Sequence, residues 1–279
     1  MKLYDFLARL ETLLPPETAM EDDKIGLQIE SEVDFVTKVL LCYEINSDII
    51  KEATKLNCNC IISFHPLIFN PLHKISFNDR TAKFCYELIQ NKLNLIIIHT
   101  NFDTFSEGTS KILSDKLNLK YLEFLIPDKN YSNFGMGIVS LPERPISQND
   151  LLERVKNVCS SPLRYSKGKN KEIETIAIVG GSGSSFIPQV LKKNIDAFIT
   201  ADVSYHKFHQ AKDKLLLIDP GHYEMEQFVP FGMYELFKKD SELSAIEFIA
   251  SEICTNPVEY YPDIENYKKL QKLKINKYQ

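Results

Sequence analysis

The chain has 279 residues, 44% of them hydrophobic and 25% charged, enough to bury a sizeable core in one large domain or two small ones. Its net charge of −5, with no basic block ahead of the C-terminal residues, disfavours duplex nucleic acid as a partner. A membrane is excluded by the same reading: no segment reaches the roughly 18 to 20 apolar residues of a span, and the N-terminal MKLYDFLARLETLLPPE interleaves charges with apolar residues where a signal peptide needs an unbroken apolar core.

In chain order, residues 2–14 predict an amphipathic helix with Leu3, Phe6, Leu7, Leu10 and Leu14 on one face, stopped by Pro15-Pro16. A polar loop, EDDKIGLQIE, follows. Val36 to Cys42 predicts a strand, Asn46 an N-cap for a helix to Leu56, and Cys60 to Ser63 a short buried strand running into Phe64-His65-Pro66. A helix over 79–91, a strand over 95–98 that empties into His99-Thr100-Asn101-Phe102-Asp103, and a helix over 107–117 continue the alternation. A second unit begins near Gly135. It comprises a strand over 136–140, a helix capped by Ser147 with Asp150 three residues on, a strand over 173–179, the loop GGSGSS and a helix. The strand over 197–200 then leads through Ala201-Asp202-Val203-Ser204-Tyr205-His206 into a helix, and 215–218 is the next strand. This alternation predicts an α/β fold with mainly parallel or mixed sheets flanked by helices. The polar, basic residues 259–279 are expected as a surface tail, structured only if a helix from about Ile264 docks.

Six cysteines form neither a paired C-x-x-C pattern nor a disulfide framework, and all are expected as buried or neutral thiols in a reducing cytoplasm. The chemistry collects elsewhere. In LLLIDPGHYEMEQF, residues 215–228, an apolar strand meets a Pro-Gly turn that opens a helix, and His222 and Glu226 share one helical face. They are either half of a metal site or a surface pair. His65, His99, Asp103, Asp202, His206 and His222 all follow a predicted strand directly, where ligands sit in parallel α/β sheets. His65, Asp103, His222 and Glu226 together supply two imidazoles and two carboxylates, which suits zinc, manganese or iron. Such an ion lowers the pKa of bound water towards about 7, so the expected chemistry is hydrolytic. In the GGSGSS loop, Gly181, Ser182 and Gly183 either cradle an anion with their amides or make a tight turn that needs glycine.

DDKIGLQIE, IISFHPLIF, IIIHTNFD, GGSGSS, ITADVSYH and IDPGHYEME, in this order, make the chain similar to the Nif-three-like family, often labelled GTP cyclohydrolase I type 2 homologues. The resemblance runs to about residue 258. It implies two α/β domains with a metal cleft between them, a ring-shaped homohexamer, and one or two divalent ions per chain held by His65, Asp103, His222 and Glu226. The expected division is residues 1–125 with 213–279 for a discontinuous metal-site domain, and 126–212 for the second. The implied activity is opening of the guanine ring of GTP with release of formate. In that activity His99 or His206 would shuttle protons, and Asp202, Tyr205 and the glycine loop would orient the nucleotide. The chain departs from the family pattern at Phe64, which replaces the first of two adjacent histidines, at Lys24 in place of Asn, and at Ala201 in Thr-Gly-Asp. The rival reading is a non-catalytic metal-binding ring acting in metal handling or protein interaction.

Overall fold

The computed structural model describes residues 1–261. The expected tail helix lies outside the described residues. Helix α1 (Leu3–Leu13) buries Leu3, Phe6 and Leu10 and ends ahead of the two prolines. The segment expected as a polar loop ends instead in β1 (Gly26–Ile29), which pairs antiparallel with Leu95, Ile96 and Ile97, so pairing to a sheet edge has overridden a polar composition. Next come β2 (Lys38–Cys42), α2 (Ser47–Lys55), β3 (Cys60–Ser63), α3 (Arg80–Gln90), β4 (Asn94–Ile97), the single turn α4 (Thr100–Asp103) and α5 (Thr109–Lys116). Asn46 caps α2 by accepting from the amides of Asp48 and Ile49, as its position predicted.

The second half holds β5 (Lys120–Pro127), β6 (Gly135–Leu141), β7 (Ile146–Ser147), α6 (Gln148–Cys159) and β8 (Arg164–Ser166). Ser147 and Asp150 form the expected capping box on α6. The strand predicted over 173–179 is two, β9 (Glu172–Ile173) and β10 (Ile176–Ile178). Between them the amides of Glu174 and Thr175 both donate to the Asp196 carboxylate at 3.0 Å, leaving neither for a ladder. Then follow α7 (Ile187–Lys192), β11 (Ala197–Ile199), α8 (Tyr205–Ala211), β12 (Leu216–Asp219), α9 (His222–Glu226), α10 (Val229–Lys238) and β13 (Glu247–Ala250).

Two larger sheets result. The five-stranded sheet has the order β1-β4-β3-β2-β13, parallel except for β1. The six-stranded sheet has the order β5-β6-β10-β11-β12-β8, with β10, β11 and β12 parallel. Its extent, Lys120 to Asp219, is wider at both ends than the expected second domain because β5 and β12 pair into it. We propose each sheet with its helices as one domain. Helices cover both faces of each: α1 and α10 oppose α2 and α3 on the first, and α5 and α6 oppose α7 and α8 on the second. Strands buried on both faces need continuous apolar runs, as in CIIS and LLID. Five cysteines are buried within these layers, and Cys254 is exposed. Among the described residues no helix is long and apolar enough to cross a membrane.

Candidate metal centre

The carboxyl ends of β3, β4, β11 and β12 converge where the two sheets meet. Beyond β3 the ladder continues for two residues: Phe64 N donates to Cys42 O and His65 N to Tyr43 O. Phe64 is fully buried, and the His65 ring stacks on it at 5.2 Å, toward the cluster. Beyond β12, buried Asp219 accepts from the amides of Gly221 and Val203, fixing the turn, and Gly221 at φ +97° starts α9. On α9 the expected pair is made: His222 Nε2 lies 3.0 Å from Glu226 Oε2. His65 Nε2 reaches the same carboxylate oxygen at 3.7 Å. The ligand atoms of His65, His222 and Glu226 all lie within 4.8 Å of one another.

Asp103, at the end of α4, brings the fourth expected ligand alongside. Its Oδ1 is out of solvent with no hydrogen-bond partner. A Cβ on Gly180 would stand 3.3 Å from that oxygen, and one on Gly181 would stand 2.8 Å from Glu226 Oε1 and 3.1 Å from His222 Nε2. The glycine loop is thus the wall of the cluster. Burial, and then the Glu226 carboxylate, push the Asp103 carboxyl up to about 7. Burial opposes charge on His222, but the Glu226 and Asp202 carboxylates outweigh it and push the imidazole up to about 10. An orphaned carboxylate oxygen, a second buried carboxylate and two converging imidazoles fit a divalent cation. The described residues bring three of the four expected ligands into one tight group, with Asp103 beside it.

Of the residues expected to bind substrate, Asp202 and the glycine loop also contact the cluster. Asp202, at φ +52°, accepts from His222 Nδ1 at 2.6 Å and from Ser182 Oγ, which leaves Nε2 facing Glu226. The Gly180 amide donates to Ser110 Oγ and the Gly183 amide to Thr200 Oγ1, while Gly181 O accepts from Ala201 N. The loop is a turn whose amides at Gly180 and Gly183 are already used. Tyr205 and His206 sit exposed on α8, where their rings pack on each other at 5.5 Å, and neither lines the cavity described below. His99, by contrast, packs its ring 5.4 Å from that of His65.

Asp23 and Tyr43 escaped the sequence reading. Tyr43 donates to Glu226 Oε2 at 2.9 Å, and its own hydroxyl is pushed upward by burial and then by that carboxylate. Asp23 Oδ1 lies 2.8 Å from His99 Nδ1, and its Oδ2 accepts from the Thr100 amide at 3.1 Å. Burial disfavours its charge, yet the His99 and Thr100 hydrogen bonds outweigh it and hold the carboxyl well below the usual range. For His99 burial also opposes charge, and Asp23 raises it. The carboxylate therefore stabilises the fold above about pH 4, and this is lost as pH falls further. The imidazolium stabilises it below about pH 6.5, and this is lost as pH rises through its raised value. Asp23→Asn should lower unfolding free energy by about 1–2 kcal/mol, most between these limits, as read by urea melts from pH 3 to 9.

A cavity of about 560 Å³ opens beside the cluster, with Tyr43, His65, Arg164, His222, Glu224 and Tyr260 among its lining. Two helix-flanked sheets with a histidine-carboxylate cluster at converging strand ends define an α/β protein with a candidate metal centre. Residues 1–257 match the Duf34/NIF3 (NGG1p interacting factor 3) family, and the chain belongs to it. A protein of Lactococcus lactis subsp. lactis named GTP cyclohydrolase 1 type 2 homolog is 32% identical over 261 residues, 92% of this chain and 98% of that protein. One of the same name from Clostridium perfringens is 30% identical, over 93% and 100%. Among solved structures, a Staphylococcus aureus hypothetical protein superposes with a TM-score of 0.86 at 27% identity, over 93% of this chain and 99% of that one. A Bacillus cereus protein related to NIF3, at 0.85 and 22%, shares the fold over 93% of this chain and 99% of its own.

Proposed function

We propose that the protein is a metal-dependent hydrolase that opens the guanine ring of GTP and releases formate. The observation that carries the reaction class is the group of His65, His222 and Glu226 beside the orphaned Asp103 oxygen, next to a substrate-sized cavity. The name shared by the relatives supports the substrate. Zinc, manganese or iron would be held by these four residues, and when bound would supply a Lewis acid that activates water near neutrality. Asp202 orients His222, and Tyr43 holds Glu226. His99, itself oriented by Asp23, is the proton-transfer group of this reading. A homohexameric ring in the cytoplasm completes this reading.

Phe64 favours a second reading, a metal-binding ring without turnover. It is fully buried, its ring 5.2 Å from that of His65 and 5.4 Å from that of His99, and it cannot ligate. Formate release from GTP by zinc-, manganese- or iron-reconstituted protein, lost in Asp103→Ala, supports the hydrolase. Background formate from both proteins with all three metals supports the ring. Under either reading Phe64→His should raise bound metal from one ion per chain towards two, measured by elemental analysis.

A further inference from the structure

Four carboxylates line the cavity beside the cluster: Glu44, Asp202, Asp219 and Glu224. Three are matched by cationic or titratable partners. Glu44 pairs with Arg80 at 2.6 Å, Asp202 with His222 at 2.6 Å, and Asp219 with Arg164. Glu224 differs. It is 6% exposed, and among the described residues its side chain is met only by neutral donors, Asn256 Nδ2 at 2.9 Å and Tyr260 OH at 3.1 Å, both on Oε1.

That arrangement specifies what can bind. Two donors fill the acceptor positions of Oε1, while among the described residues Oε2 carries no side-chain or backbone donor. Oε2 lies against Gly221, where an added Cβ would stand 2.2 Å away, so glycine there makes room for the carboxylate. Oε2 is not sealed from solvent and is free to accept from a ligand. A ligand that presents N–H groups would meet this acceptor, and the setting is aromatic. Tyr43, Tyr223 and Tyr260 line the same cavity, the first two in edge contact at 5.1 Å.

We propose that Glu224 recognises the base of the substrate, its Oε2 accepting from the ring N–H and exocyclic amino group of a guanine-type purine. This rests on the nucleotide reading given above and names the part of the nucleotide that is read. Adenine lacks the ring N–H, and hypoxanthine lacks the amino group. Glu224 then discriminates by the number of donors it meets: two from guanine, one from hypoxanthine and none at the ring nitrogen of adenine.

Equilibrium titration of guanosine and of inosine, which differs only in lacking the amino group, into the zinc-loaded full-length chain tests this directly. Wild type should bind guanosine about tenfold or more tightly than inosine. Glu224→Gln keeps an oxygen for Asn256 and Tyr260 but turns the other acceptor into a donor, so it should bind the two nucleosides alike with unchanged metal content. Equal wild-type affinity for the two, failure to bind either, or a guanosine preference that survives in Glu224→Gln overturns the assignment. The wild-type comparison stands even if the variant folds poorly. Formate release from GTP is read separately: a guanosine preference abolished by Glu224→Gln, without formate from wild type, overturns the hydrolase and leaves the base assignment standing.

Discussion

Asp103→Asn should make the metal-free protein more stable at pH 8 while weakening divalent-metal binding by about a hundredfold or more. The two effects share one cause. Without a cation, burial and the Glu226 carboxylate raise the Asp103 carboxyl to about 7. The folded chain then keeps a proton that the unfolded chain loses near pH 4, so stability falls as pH rises from about 4 to about 7 and stays lower above. A shift of that size is worth at most about 4 kcal/mol, and about 2–4 kcal/mol should return when an uncharged residue of the same shape takes the place. Below pH 4 the two proteins should unfold alike. With metal the sign reverses, because the orphaned Oδ1 has then lost the charge that makes it a ligand. Urea melts in chelator across pH 4–8, beside competition titrations with zinc, measure both arms. An asparagine variant that is less stable at pH 8 in chelator, or that binds zinc as tightly as wild type, would remove Asp103 from the centre. The same titration predicts that wild-type metal affinity climbs steeply with pH up to about 7 and less steeply on to about 10, since Asp103 and then His222 must shed a proton to ligate.

Much of this centre could be read from the chain because its parts are local. His222 and Glu226 are one helical turn apart behind a Pro-Gly break, and short range alone fixes their geometry. His65 and His99 follow apolar runs that can only be buried strands, so their place at strand ends follows from composition. What escaped was non-local. β13 joins β2 across some two hundred residues, and its pattern is too short to announce a partner. β5 carries an edge strand's mixed exposure, and no element is predicted there. Asp23 lies in an acidic run, EDD, whose members look alike until His99 selects one of them. Tyr43 sits among buried apolar residues, and only the approach of Glu226 gives its hydroxyl a purpose. Asp202 and Ser182 were legible as site residues, but their link to the histidine was not. A carboxylate after a strand suits substrate or scaffold equally, and only the fold shows the 2.6 Å contact by which Asp202 orients His222.

The glycine loop gives the other large effect. Gly181→Ala should lower metal affinity by about ten- to a hundredfold although it replaces no ligand, and should reduce stability by about 1–3 kcal/mol. Residue 181 sits at φ +58°, a conformation that L side chains adopt reluctantly. The added methyl would stand 2.8 Å from Glu226 Oε1 and 3.1 Å from His222 Nε2, in the space their ligand atoms share. Gly183→Ala is the informative comparison. Its methyl would meet Val179 Cγ1 at 2.5 Å and Thr200 Oγ1 at 2.7 Å, so it should destabilise the fold while metal affinity of the folded fraction holds. An anion cradle predicts otherwise, because its function lies in backbone amides shared along the loop. Both variants would then weaken phosphate binding together, and neither would select against metal. Zinc titration of the two proteins, with melting curves to correct for the folded fraction, separates the cases: the ratio of their metal affinities reads whether the loop exists to approach the histidine-carboxylate cluster or to hold an anion.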